Sequence, residues 1–372
     1  MLFTNGVLFT PEGAFKRGGF RVEEGRFADL FFEDAPEGVD LGGALVLPGL
    51  VDMHIHGCGG ADFSDGDVQG LTTMGRFLAA RGVTSFCPTA MTLPYDRIEA
   101  ALASGAAYEA DRPANGARLA GMRLEGPFLS EAKKGAQRAD WLRAPDADAF
   151  ESWYRSCGGR IAVTDVAPEL PGALDFIRSV SGRCTLSLGH TTADYDRAAA
   201  AFDAGARHLT HLFNAMPPLL HRAPGPIAAG AERTDITAEI VADGIHVHES
   251  MVRLAFRLFP DRLALVSDAS RSLGMPDGVY DLGGQAITLR GNRATLPDGT
   301  IAGSATDLFA CLQNAVRWGV PRTEAVAAAT LVPARILGRR DVGVIRPGAW
   351  ADFILCDESL DRKAVYLGGR PV

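Results

Sequence analysis

Apolar and polar positions along the chain fall into two regimes. Over roughly the first 45 residues, short apolar runs alternate with turn-forming residues: Gly6-Val7-Leu8-Phe9-Thr10, Gly19-Phe20-Arg21-Val22 and Arg26-Phe27-Ala28-Asp29-Leu30-Phe31-Phe32. Runs of this length separated by turns read as hairpin strands and leave no room for a helix. The end of the chain reads the same way, with Gly348-Ala349-Trp350-Ala351-Asp352-Phe353-Ile354-Leu355-Cys356-Asp357 and then Ala364-Val365-Tyr366-Leu367. Neither end has enough strands to close a core alone. The pattern therefore predicts a small β-sandwich domain built from both termini, residues 1–46 with 342–372.

Between them, over residues 47–341, apolar strand candidates recur at 50–56, 83–89, 118–125, 161–166, 185–190, 208–214, 237–242 and 263–268. Helix-like sequence fills most of the gaps, at 68–81, 95–109, 170–180, 193–204 and 249–259. Strands interleaved with helices in this way predict an α/β fold, a (β/α)8 TIM-like barrel. The competing fold is a doubly wound open sheet. Its glycine-rich fingerprint finds only a weak echo in Gly57-Cys58-Gly59-Gly60, which lacks the GxGxxG spacing.

Composition narrows the function classes. With 372 residues, 47% of them hydrophobic, the chain is long enough for a large core. A formal net charge of -8 without any Lys/Arg-rich run argues against nucleic acid as a partner. The N-terminal residues show no signal-peptide pattern, and no apolar stretch is long enough for a membrane span. The six dispersed cysteines form no CxxC pair and read as reduced thiols, so a cytoplasmic enzyme is expected.

Candidate chemistry appears where barrel strands end. Pro48-Gly49-Leu50-Val51-Asp52-Met53-His54-Ile55-His56-Gly57 places two histidines at i and i+2, on one face of a strand. Two neutral imidazoles on one face suit a divalent metal of the zinc or iron kind. Glu125 ends the third strand, His190 the fifth and Asp268 the eighth, while His211 lies on the sixth. Active-site side chains of a barrel belong at these C-terminal strand ends. Six candidate ligands on five strands thus converge on one end, out of only eight histidines in the chain.

With those residues placed, the chain resembles the amidohydrolase superfamily and, within it, the deacetylases of phosphorylated amino sugars. The resemblance rests on Leu124-Glu125-Gly126-Pro127-Phe128-Leu129, Gly189-His190-Thr191, Thr210-His211-Leu212-Phe213-Asn214-Ala215-Met216, Ala242-Asp243-Gly244-Ile245-His246-Val247 and Gly274-Met275-Pro276-Asp277-Gly278. It extends to the closing segment 343–352 and so covers nearly the whole chain. It implies hydrolytic removal of the N-acetyl group from N-acetylglucosamine 6-phosphate. The alternatives are another N-acyl amino sugar, such as N-acetylgalactosamine 6-phosphate, or a cyclic amide.

Carried over residue by residue, Glu125, His190 and His211 are implied ligands of one metal. His54 and His56 are implied ligands of a second, with Glu125 bridging, so one or two ions of zinc or iron are expected. Asp268 is the implied catalytic acid/base beside the metal. Asn214, Ala215 and Arg222 are implied sugar-phosphate contacts, with Arg222 reaching across a homodimer interface. Further implied substrate contacts are Ala136, Gln137, Asp243, Gly244, Ile245 and His246, and a turn at Ile301, Ala302 and Gly303. The chain departs from the family pattern twice. Lys133-Lys134-Gly135-Ala136-Gln137 has glutamine where the family has histidine, and Arg271 adds a cation expected near the mouth of the site.

Overall fold

The computed structural model describes residues 1–32 and 37–372. Its centre is a set of parallel strands in chain order: Leu50–Ile55, Val83–Ala90, Arg118–Leu119 with Met122–Leu124, Ile161–Val166, Thr185–Leu188, His208–Leu209, Thr237–Val241 and Leu263–Val266. Each strand hydrogen-bonds in parallel with its sequence neighbour from the first to the eighth. The first and eighth strands meet just beyond their ends. There Asp268 N donates to His54 O and His56 N to Ala269 O, both at 2.9 Å. The result is a nearly closed (β/α)8 barrel, and the open doubly wound sheet is excluded.

Helices cover the outside, which is why a strand such as Val83–Ala90 is buried at every position, its Thr84, Ser85 and Thr89 included. The helix Val68–Ala79 shows how the sequence makes its partner. Asp67 accepts hydrogen bonds from Gln69 N and Gly70 N, satisfying donors that a helix start leaves open. Leu71, Met74 and Leu78 then line the buried stripe. Helices Ala147–Ser156, Gly225–Ala231, Leu308–Arg317, Arg322–Ala329 and Leu331–Ile336 add to the expected ones.

Strands from both ends of the chain form one eight-stranded sheet. Its order is Arg370–Pro371, Arg362–Leu367, Phe353–Cys356, Leu45–Pro48, Leu2–Phe9, Phe15–Glu23 and Arg26–Phe31, with Val39–Asp40 also beside Leu2–Phe9. Leu45–Pro48 runs antiparallel to Phe353–Cys356, pairing Pro48 with Phe353. Phe3, Phe20, Phe27, Phe353 and Tyr366 pack into an aromatic core there, with ring centroids 4.4 to 6.3 Å apart.

Two expectations of detail are overturned. The sixth strand stops at Leu209 and does not run to Asn214, because His211, Phe213 and Ala215 take positive φ, which a strand cannot hold. The segment at Ile301, Ala302 and Gly303 is not a turn. It lies in the strand Ile301–Ser304, the last of a separate antiparallel sheet with Gly278–Leu282, Gln285–Arg290 and Arg293–Thr295.

Candidate metal centre

The ends of the first, third, fifth, sixth and eighth strands bring together the six residues expected to meet there. Two donor groups form, His54 with His56 and Glu125, and Glu125 with His190 and His211, all buried. Glu125 belongs to both. Its Oε1 lies 3.4 Å from His54 Nε2, 3.2 Å from His190 Nε2 and 3.0 Å from His211 Nε2, and its Oε2 lies 3.3 Å from His56 Nε2. Asp268 Oδ1 sits 3.2 Å from His56 Nε2 and 3.6 Å from His54 Nε2.

Three of these side chains depend on an uncommon backbone. His190, His211 and Asp268 have φ of 48°, 26° and 48°, the left-handed region that L-residues enter at a cost. That conformation turns each side chain inward directly after its strand ends.

The outer ring nitrogens are mostly engaged. His56 Nδ1 lies 3.0 Å from Thr89 O, His190 Nδ1 2.8 Å from Lys133 O, and His54 Nδ1 2.5 Å from Glu239 Oε1. Imidazoles held this way present Nε2 to the cluster, the arrangement usual for metal-binding histidines. His54 Nε2 is buried with no hydrogen-bond partner, an orphan that a cation would satisfy. Electrostatics agree. Burial and Arg123 oppose charge on His54, yet Glu239, Asp268 and Glu125 outweigh them and raise its pKa to about 10. Burial works against ionisation of Glu125, but the histidines around it hold its carboxyl well below the usual range. Anionic carboxylates closed in with imidazole nitrogens fit a divalent cation.

The cluster opens on a cavity of about 340 Å³. Of the expected substrate contacts, Ala136, Gln137, Asn214, Ala215, His246, Ile301 and Gly303 line it, together with Leu282 and Thr300. Asp243 lies behind His246. It accepts from the N–H groups of Ile245 and His246 at 2.8 and 2.9 Å and holds His246 Nδ1 at 2.7 Å. Gly244 and Ile245 complete that turn without lining the cavity, and Ala302 is buried away from it.

Gln137, Arg222 and Arg271 do not all face the cavity. Gln137 is turned onto the donor cluster. Its Nε2 donates to Glu125 Oε2 at 2.6 Å, and its Oε1 accepts from Thr92 N at 2.7 Å. Arg222 is exposed and lies outside the cavity, in a surface hollow with Thr192, Tyr195 and Pro217. Arg271 does not face the cavity either, because Asp65 Oδ1 accepts from its Nη2 at 2.7 Å. A second hollow, of about 430 Å³, lies at the opposite end of the third to fifth strands and holds none of the expected site residues.

Beneath the cluster is a charged layer that the sequence reading missed. Arg123, Asp165 and Glu239 are fully buried, and Arg123 donates to Asp165 Oδ1 at 3.0 Å and to Glu239 Oε2 at 2.6 Å. A signal existed. Each is a lone charge within an apolar barrel strand, and charges are almost never fully buried without partners.

A fold and a site of this kind define a class of barrel hydrolases, and residues 45–372 match the amidohydrolase family, to which this chain belongs. The N-acetylglucosamine-6-phosphate deacetylase of Vibrio furnissii is 35% identical over 339 residues, 90% of this chain and 85% of that one. The N-acetylgalactosamine-6-phosphate deacetylase of Escherichia coli O157:H7 is 34% identical over 367 residues, 98% and 97% of the two chains. The structure of a Mycobacterium smegmatis N-acetyl-D-glucosamine-6-phosphate deacetylase mutant, in complex with N-acetyl-D-glucosamine-6-phosphate, superposes with a TM-score of 0.93. It is 32% identical and covers 100% of this chain and 98% of its own.

Proposed function

We propose that this chain is a metal-dependent deacetylase that converts N-acetylglucosamine 6-phosphate to glucosamine 6-phosphate and acetate. One observation carries the chemistry: Asp268 stands against two donor groups that share Glu125, at the head of a cavity of about 340 Å³. The deacetylases that the chain resembles over nearly its whole length supply the substrate class.

His54, His56, Glu125, His190 and His211 would hold one or two ions of zinc or iron. A bound divalent ion supplies hydroxide near neutral pH, by lowering the pKa of water from about 15.7 towards about 7. Burial opposes the charge on Asp268, but His54 and His56 hold its pKa down to about 2, so it stands as the ionised carboxylate. Asp268 orients the attacking water, removes its proton, and passes it to the nitrogen as the carbon–nitrogen bond breaks. His246 donates a hydrogen bond to the oxygen that gains charge as the acetamide carbonyl is attacked. Its imidazolium is favoured because Asp243 outweighs the opposing effect of burial.

Asn214, Ala215, Ala136 and the strand carrying Ile301 and Gly303 line the sugar end. Arg222, exposed and outside its own cavity, fits the reading in which it reaches the phosphate bound by a second subunit of a cytoplasmic homodimer. Residues 47–341 carry the chemistry in this reading, and residues 1–46 with 342–372 the small β domain.

A second substrate is favoured by the N-acetylgalactosamine-6-phosphate deacetylase, matched across 98% of this chain. Acetate release from metal-loaded protein, with phosphorylated and free N-acetylglucosamine, N-acetylgalactosamine and N-acetylmannosamine, separates the readings. Turnover fastest on N-acetylglucosamine 6-phosphate is expected. No acetate from any of them would reject the deacetylase reading.

A further inference from the structure

Glu239, from the seventh strand, has no accessible surface, and all its carboxylate contacts are internal. Oε1 lies 2.5 Å from His54 Nδ1 and accepts from His211 N at 3.2 Å. Oε2 accepts from Arg123 Nη1 at 2.6 Å and lies 3.1 Å from His208 Nε2. Arg123 is fixed in turn by Asp165 and Thr210, and His208 by Thr237 Oγ1 at 2.7 Å. The carboxylate is thus clamped from below by an arginine that it shares with Asp165, and it presents one oxygen to a single imidazole of the cluster.

The four cluster histidines are not equivalent in this respect. His56 and His190 face neutral backbone carbonyls, and His211 Nδ1 is buried without a partner. Only His54 leans on an anion. A carboxylate on the far nitrogen keeps the proton there, aims the ring, and strengthens the other nitrogen as a donor to a metal. That other nitrogen is the orphaned Nε2, 3.4 Å from the shared Glu125.

We propose that Glu239 is a positioning residue for the group His54, His56 and Glu125, and that it sets whether the chain holds a second ion beside the one at Glu125, His190 and His211. The inference rests on the two-ion form of the proposed function. The two groups share the carboxylate of Glu125, and a further carboxylate stands behind an imidazole of the His54 group. Glu239 supplies the negative charge that Glu125 divides between them.

Metal content of the purified protein, measured by mass spectrometry after metal-replete expression and dialysis, tests this without reference to turnover. Wild type is expected to hold two equivalents and Glu239→Gln one, with a chelator titration showing the second ion weakened about 10–100-fold. Asp165→Asn loosens the same buried layer without touching His54 and is expected to keep two. Two equally tight ions in Glu239→Gln, or equal loss in Asp165→Asn, overturns the assignment. A wild type with a single ion removes the two-ion reading itself, and Glu239 with it. If Glu239→Gln does not fold, Glu239→Asp keeps a charge opposite Arg123 but withdraws it from His54. Loss of one ion there supports the assignment, and retention of both overturns it.

Discussion

In the proposed reaction the side chain that moves the proton is Asp268, held by its left-handed backbone against His56. Asp268→Asn keeps the shape and removes the base. Turnover is expected to fall by about 10²–10⁴-fold while metal content stays at the wild-type value, both measured on one preparation. In the same proposal Asp243 and His246 are expected to govern pH dependence. Asp243 raises the pKa of His246 above its ordinary value against the effect of burial, so activity is expected to fall as pH rises through that higher value. Asp243→Asn removes the carboxylate's charge and should move this alkaline fall to lower pH in a kcat profile. A fall that stays in place takes the role from His246. Stability follows the same sign. What His246 contributes is complete below about 6.5 and is lost as pH rises through its folded pKa. At this scale the buried donor cluster was legible because histidine pairs and lone carboxylates interrupt apolar runs. The orientation of Gln137 and the pairing of Arg271 were not, since each depends on a neighbour from another part of the chain, Glu125 and Asp65.

Strands buried on both faces and helices with one apolar stripe announce themselves, so the barrel could be read from pattern. What escaped has physical causes. The run His208-Leu209-Thr210-His211-Leu212-Phe213-Asn214 is apolar enough for a strand, but backbone strain ends it early to aim His211. The added sheet alternates buried and exposed positions over short strands, with exposed Val279 and buried Leu282, a weak signal beside the barrel's long runs. Its turn at Gly283 and Gly284, both at positive φ, was nonetheless a hairpin mark visible in the sequence. Helix caps are local and should behave locally. Asp67→Ala removes two hydrogen bonds at the start of Val68–Ala79 and is expected to cost about 1 kcal/mol of stability in urea unfolding. kcat should be unchanged.

At the scale of the whole molecule, the barrel carries the donor cluster on one end and leans on a sheet made from both termini. Leu45–Pro48 pairs with Phe353–Cys356, so strands from the two ends of the chain share one sheet. Phe353 touches Phe3, Phe20, Phe27 and Tyr366, so Phe353→Ala is expected to cost about 3–5 kcal/mol in denaturant unfolding. The same variant, assayed under conditions where it remains folded, should keep its KM.

That pairing also sets an order of events when the protein is made. Leu45–Pro48 emerges roughly three hundred residues before its partner strand, a wait of about 15 s to a minute at ordinary rates of translation. Throughout it, Phe3, Phe20 and Phe27 lack the ring that completes their core, and one edge of the sheet stands open. The barrel therefore has time to form before the sheet beside it is complete. The newborn chain's most vulnerable surface is its oldest part, where a chaperone would be of most use.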